Sequence, residues 1–356
     1  MEQAVDRRQL LGRGARLFGG MFAAGAAGVW LDACGSSSTT DASSATTAKS
    51  LGTVRFQLVW IKNVQFAGSY LADTRGYFKQ EGVGVEILAG GPSVIIEPLV
   101  VQGTVQIGIT GAQAAADARN KGADLAIVAA GYQKNPECII SLAKNPIMTP
   151  RDMIGKKIGV PADSVSVVQA FLKANSIAAS AISIVPVQFD PTPLAAGQVD
   201  GYFGFYSNEP TILKLKGVDT HVMLLNDFGL PQLAETYIVS RSTLKDPAQR
   251  AKIVAFLRGE IRGWQDYVAK PQDGADLAIN VYGKALGLDA KEQSIEAVVQ
   301  TDLVTGHDTD AHGLLWMSDE SIDQTVRSLA VSGTAANRDL FDTTVLQEVY
   351  GGKNRL

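Results

Sequence analysis

The sequence predicts an α/β protein of two lobes, each built on a mostly parallel sheet. Three observations carry this. Short apolar, β-favouring runs alternate with helical runs from Val54 to Ser240. From Pro247 onward the pattern becomes helical. The chain also offers two crossing points, near Asn135-Pro136-Glu137 and near Ala234-Glu235-Thr236, so the lobes are expected at 51–133 plus 235–356 and at 134–234. Two crossings make a hinge, and the cleft beside it collects strand ends from both lobes.

The elements follow in order. Val54 to Val59 reads as a buried strand ending at Trp60, and Asn63 can start a helix that places Phe66, Tyr70 and Tyr77 roughly on one face. Gly76 and Gly82 break that run, Val83 to Leu88 is a second strand, and Gly90-Gly91 ends it. Strand, helix, strand over this length is a βαβ unit. Val94 to Gln102 and Gly111 to Asn120 read as helices around a strand at Val105 to Thr110, and Leu125 to Ala130 is an apolar strand ending at Gly131-Tyr132. Beyond Pro136, strands are expected at Ile139–Leu142, Lys157–Val160, Ile182–Val187, Val199–Phe205, His221–Leu225 and Glu235–Ser240. Helices at Ser164–Asn175, Pro193–Gly197 and Asn208–Lys216 separate them, and four long helices, among them Gln272 to Leu286, close the chain.

The N-terminus is a separate matter. Arg7-Arg8 precede a weakly apolar Gly/Ala-rich run from Leu17 to Leu31, followed by Leu31-Asp32-Ala33-Cys34-Gly35. This resembles a twin-arginine export signal, residues 1–33, ending in a bacterial lipoprotein box with Cys34 as the lipidated residue. Residues 34–50 are rich in Ser, Thr and Ala, as in a flexible tether. Such a protein is exported and held at the outer face of the cytoplasmic membrane.

Composition narrows the function. A hydrophobic fraction of 46% with 19% charged residues fits a globular chain with a full core. A net charge of −4 and the lack of a basic run argue against a nucleic-acid partner. Cys138 lies in a strand-like run and reads as a small buried hydrophobe. No metal and no cofactor is expected. His221, His307 and His312 do not form a ligand-spaced set, His307-Asp308-Thr309-Asp310 reads as a solvated loop, and no phosphate loop, nucleophile elbow or dinucleotide fingerprint occurs.

Several motifs carry a family likeness: Trp60-x-x-Asn63-x-Gln65-Phe66-Ala67-Gly68-x-Tyr70, then Gly76-Tyr77-Phe78-x-x-Glu81-Gly82, Asp152-Met153-x-Gly155-Lys156-Lys157-Ile158-Gly159-Val160, and Asn208-Glu209-Pro210. Together they resemble the ABC-importer solute-binding proteins, most of all the branch that binds thiamine pyrimidine precursors and riboflavin. The wider group includes binders of sulfonates, nitrate and taurine. The resemblance implies a type II periplasmic-binding-protein fold, a small-molecule ligand, an ABC permease as membrane partner, and a monomer without enzymatic activity. Some relatives place a His where Phe66 stands, and those that make the thiamine pyrimidine use it in chemistry. Phe66 cannot transfer a proton, so binding is favoured over turnover. The alternatives are an enzyme of the pyrimidine-synthesis type, a sensor subunit, or a binder of riboflavin or an anion.

Candidate ligand contacts follow from position. Trp60, at a strand end, can stack on a flat ring or plug the lobe base. Asn63 can cap a helix or offer its amide. Phe66 and Tyr70, one turn apart, are ligand contacts or core. Tyr206 ends an aromatic run, Tyr202-Phe203-Gly204-Phe205-Tyr206, in which alternation separates Tyr202, Gly204 and Tyr206 from Phe203 and Phe205. Glu209, beside Asn208, is either a favoured helix-start acid or a carboxylate that accepts N–H groups of an amino-heterocycle. Gly91, Gln113, Tyr132 and Ser164 lie at other strand ends, where ligands collect in open α/β sheets.

Overall fold

The computed structural model describes residues 50–91 and 93–356. The expected export signal, Cys34 and nearly all of the expected tether lie outside the described residues. Among the described residues, ten strands form two five-stranded sheets. The strands are β1 (Gly52–Gln57), β2 (Val83–Leu88), β3 (Ile107–Thr110), β4 (Leu125–Tyr132), β5 (Glu137–Leu142), β6 (Lys157–Pro161), β7 (Ser183–Val187), β8 (Gly201–Phe205), β9 (Thr220–Leu224) and β10 (Ala234–Ser240).

The two sheets share one topology. The first runs β2-β1-β3-β10-β4 and the second β7-β6-β8-β5-β9. In each, four strands are parallel and a fifth inserts antiparallel: β10 between β3 and β4, β5 between β8 and β9. Both inserted strands are the first to follow a crossing between sheets, at 133–136 and 225–233. Because they run against their neighbours, their amino ends lie at the same edge as the carboxyl ends of the parallel strands. That edge faces the other lobe.

Each sheet is covered on both faces. In β5, Ile139 joins one apolar cluster while Cys138 and Ile140 join another on the opposite face. Cys138 is fully buried, and its Sγ contacts the Gly204 carbonyl at 3.4 Å. In the first lobe, helix Ala67–Thr74 packs against the long helix Pro247–Ala269 at very close range. A Cβ on Gly68 would fall 2.2 Å from the Trp264 ring, and one on Gly263 would fall 2.1 Å from the Gly68 carbonyl. Behind them Glu260 is wholly buried, with Oε1 accepting from Ser69, Tyr237 and Trp264.

Three segments depart from the sequence expectation. β1 stops at Gln57, three residues short of Trp60. The chain there leaves the ladder because Gly90 tucks beneath it: a Cβ on Gly90 would lie 2.2 Å from the Leu58 carbonyl, and Gly90 N donates to Trp60 O at 2.9 Å. The expected helix Gln272–Leu286 is an α-helix over Pro271–Leu277, a π-turn over Ala278–Tyr282 and a 3-10 turn over Lys284–Leu286. Gly283, pressed against the Lys62 carbonyl, and Tyr282, stacked on Tyr70 at 4.2 Å, hold that distortion. Finally, His307–His312 is a short helix rather than a loop. Thr309 Oγ1 accepts from Gly306 N, and His312 stacks on Trp316. No cluster suited to a metal ion occurs among the described residues.

Candidate ligand-binding cleft

The edge where both sheets present their strand ends encloses a cavity of about 310 Å³. From the first lobe it takes Val59, Trp60, Asn63 and Gln65 from the segment after β1, Glu235 at the start of β10, and Glu296 and Gln300 from the helix Ala290–Val304. From the second it takes Glu137 at the start of β5, Pro161 and Ser164 after β6, Phe189 after β7, and Phe203, Gly204, Phe205, Ser207, Asn208 and Glu209 around the end of β8. The cavity thus lies where an open α/β sheet places ligands.

Its chemistry is one-sided. Trp60, Phe189, Phe203 and Phe205 supply aromatic surface. Trp60 and Phe189 meet from opposite lobes, ring centroids 6.2 Å apart and planes at 62°. Four lining residues are glutamates, and among the described residues no Lys, Arg or His lines the cavity.

Backbone and side-chain amides hold the carboxylates; Asn135 Nδ2 donates to Glu137 Oε2 at 3.2 Å. Glu209 starts the helix Glu209–Leu215, and its Oε2 accepts from Phe205 N at 2.7 Å. Gly204 leaves room for it, since a Cβ there would fall 2.9 Å from that oxygen. Glu296 accepts from Asn208 Nδ2 at 2.6 Å through Oε1 and from Gln293 Nε2 at 3.1 Å through Oε2. Gln293 in turn accepts from Val64 N at 2.8 Å. The Asn208–Glu296 bond therefore joins a residue of the second sheet's lobe to the C-terminal helices. Glu235 Oε1 accepts from Gln65 Nε2 at 2.8 Å. Burial pushes Glu209 and Glu235 up to about 7 and Glu296 up to about 8, because withdrawal from water penalises the charged form. The donors named above pull in the opposite direction and lose.

Of the residues expected from sequence, Trp60, Asn63, Ser164, Asn208 and Glu209 come together in this cavity. Asn63 takes the capping role: its Oδ1 caps the turn Val64–Phe66 by accepting from Gln65 N, and the residue also lines the cavity. The other six lie elsewhere. Phe66 and Tyr70 are buried in the first lobe's core, where Tyr70 stacks on Tyr282 of the distorted turn after the helix Pro271–Leu277. Tyr132 stands behind the wall, donating to Gln300 Oε1 at 2.8 Å. Tyr206 falls past the end of β8, where alternation ceases. Its N–H donates to Pro136 O, and its hydroxyl turns to Asp302 in a separate depression. Gly91 spends its N–H on the Val59 carbonyl at 3.2 Å. Gln113 sits half-buried on the helix Ala112–Asn120, outside the cavity. Sequence reasoning passed over Phe189, Glu235, Glu296 and Gln300. Gln65 stood inside the quoted motif without being singled out.

The raised carboxyl groups set a pH dependence. Their folded values exceed the ordinary 4.5, so between about pH 4.5 and 8 the folded protein holds more protons than the unfolded chain. The stability they contribute is complete below the unfolded value and is lost as pH rises through the folded ones. The thermal midpoint of the ligand-free protein should therefore fall between pH 5 and 8, and Glu296→Gln should flatten that slope. A midpoint that climbs across the same window would contradict the burial of these groups.

Comparison with known proteins agrees with this architecture. Over 240 residues the chain is 27% identical to the riboflavin-binding protein RibY of Chloroflexus aurantiacus, spanning 65% of this chain and 67% of that one. Over 261 residues it is 23% identical to the formylaminopyrimidine-binding protein of Halalkalibacterium halodurans, spanning 71% and 78%. Among solved structures it is similar to the periplasmic aliphatic sulphonate binding protein SsuA of Escherichia coli, with a TM-score of 0.60 at 16% identity over 84% of this chain and 99% of that one. That likeness establishes the periplasmic-binding-protein fold. The family model described as NMT1/THI5 like matches residues 63–274, more than half of the sequence, and the chain belongs to that family.

Proposed function

We propose that this protein is the extracytoplasmic solute-binding component of an ABC importer, and that its cleft takes a flat, amino-bearing heteroaromatic molecule such as a thiamine pyrimidine precursor. One observation carries the ligand class: the cavity joins four aromatic rings to four glutamates and has no lining Lys, Arg or His. Carboxylates in a partly dried site favour N–H donors and cations and repel sulfonates and phosphates. The aromatic rings favour a planar body. The relatives named for riboflavin and formylaminopyrimidine, both nitrogen heterocycles, support the same reading. Riboflavin itself is the second reading, supported by the more similar of those two. Binding rather than turnover is the better account, because Phe66 lies in the core at the place where some relatives carry a reactive His.

The mechanism is closure of two lobes over the ligand, with crossings 133–136 and 225–233 as the hinge. A membrane permease then reads the closed form. Export by the twin-arginine signal and lipidation at Cys34 would keep the protein beside that permease. Cys34→Ala should release the protein from membranes or leave an uncleaved precursor; membrane fractionation at the ordinary mature size would refute the anchor.

The ligand reading is tested by calorimetry with an aminopyrimidine and its des-amino analogue. A stacked ring pair contributes about 0.5–1.5 kcal/mol beyond area burial, so Trp60→Ala should weaken both. A hydrogen bond to a charged group contributes roughly 1.5–3 kcal/mol, so Glu209→Gln should weaken the amine selectively. Equal weakening of both ligands by Glu209→Gln, in a variant that still melts cooperatively, would make Glu209 a helix-start residue and nothing more.

A further inference from the structure

Glu235 is built at a cost that its own surroundings do not explain. Its backbone is in the left-handed region, φ 49°, which an L side chain adopts only under constraint. The neighbouring strand gives way to it at Gly131, where a Cβ would fall 3.1 Å from Glu235 Cβ and 3.3 Å from its carbonyl oxygen. Gln65 fixes one carboxylate oxygen at 2.8 Å. The other, Oε2, is enclosed and has no hydrogen-bond partner in the protein. A buried acceptor left without a donor is destabilising, and such groups in native proteins call for a specific explanation. Glu235 lines the same cavity as Trp60 and Glu209, and no basic side chain lines it to meet Oε2.

We infer that Glu235 is a second recognition carboxylate, so that the ligand of this cleft carries two separate hydrogen-bond donors, one received by Glu209 from the second lobe and one by Glu235 from the first. The inference rests on the cleft reading above and narrows it. It excludes heterocycles with a single donor as the best ligands. It also gives closure a physical driver, because the ligand bonds to both lobes at once. Glu235 suits that task by position: it sits on the second residue of β10, directly after a crossing. Gln65 holds the carboxylate so that Oε2 is the oxygen left to the ligand.

The test uses the full chain and two probes, 2,4-diaminopyrimidine and 4-aminopyrimidine, with calorimetric titration. The wild type should prefer the diamine, and Glu235→Gln should reduce that preference by on the order of tenfold or more, since an amide is a weaker acceptor than a carboxylate. An unchanged preference overturns the inference. A second readout needs no ligand. Glu235→Gly relieves the left-handed strain and removes the orphaned oxygen, so the ligand-free variant should melt higher than wild type. A purely structural glutamate, kept for its bond to Gln65, would make that variant melt lower, and that result also overturns the inference. The parent reading fails differently: Trp60→Ala would leave 4-aminopyrimidine affinity untouched, whatever the preference ratio does.

Discussion

Four carboxylates gathered in one cleft, with no Lys, Arg or His among its described lining residues, are the constraint on which this structure turns. Removing a charge from water is expensive unless the protein supplies donors or the group takes up a proton. Here the donors are neutral: the Phe205 N–H at a helix start, the amides of Asn208 and Gln293, and the amide of Gln65. They orient the acids, and of the described buried carboxylate oxygens lining the cavity Glu235 Oε2 is the one left without a partner. The result is a cavity that combines carboxylates, which accept N–H donors, with a wall of aromatic rings.

The topology makes this possible. Parallel strands bring Trp60, Ser164, Phe189 and Phe205 to one edge as the segments at or just past their carboxyl ends. The antiparallel strand in each sheet brings an amino end to that same edge, and each supplies a glutamate there, Glu137 in β5 and Glu235 in β10. Both follow a crossing between the sheets. The Asn208–Glu296 bond closes the arrangement from the side of the C-terminal helices.

Much of this was legible in the sequence, for reasons of period. Strand–helix alternation is a local signal, and it located nearly every strand and the two crossings. Residues at strand ends followed from it, which is how Trp60, Asn63, Ser164, Asn208 and Glu209 were found. Phe66 and Tyr70 misled because a one-turn spacing looks the same whether the face is turned to a ligand or to the core; the packing in three dimensions, with Tyr70 stacked on Tyr282, decides it. Tyr206 misled because alternation stops where the strand stops. Glu296 and Gln300 carry no local mark, since they come from a helix about ninety residues beyond Glu209 in the chain. Phe189 lies in a connection with no periodic pattern. Glu235 stood in plain view at a crossing, but its left-handed backbone and lone oxygen are visible only in three dimensions.

The central claim is that the chemistry of this cavity selects its ligand by donors rather than by negative charge. Mass spectrometry of the small molecules released on denaturing natively purified protein addresses it most directly. The account predicts a planar nitrogen heterocycle bearing amino or ring N–H donors and no acidic group. Release of a sulfonate or a phosphate ester, in amounts matching the protein, would contradict it.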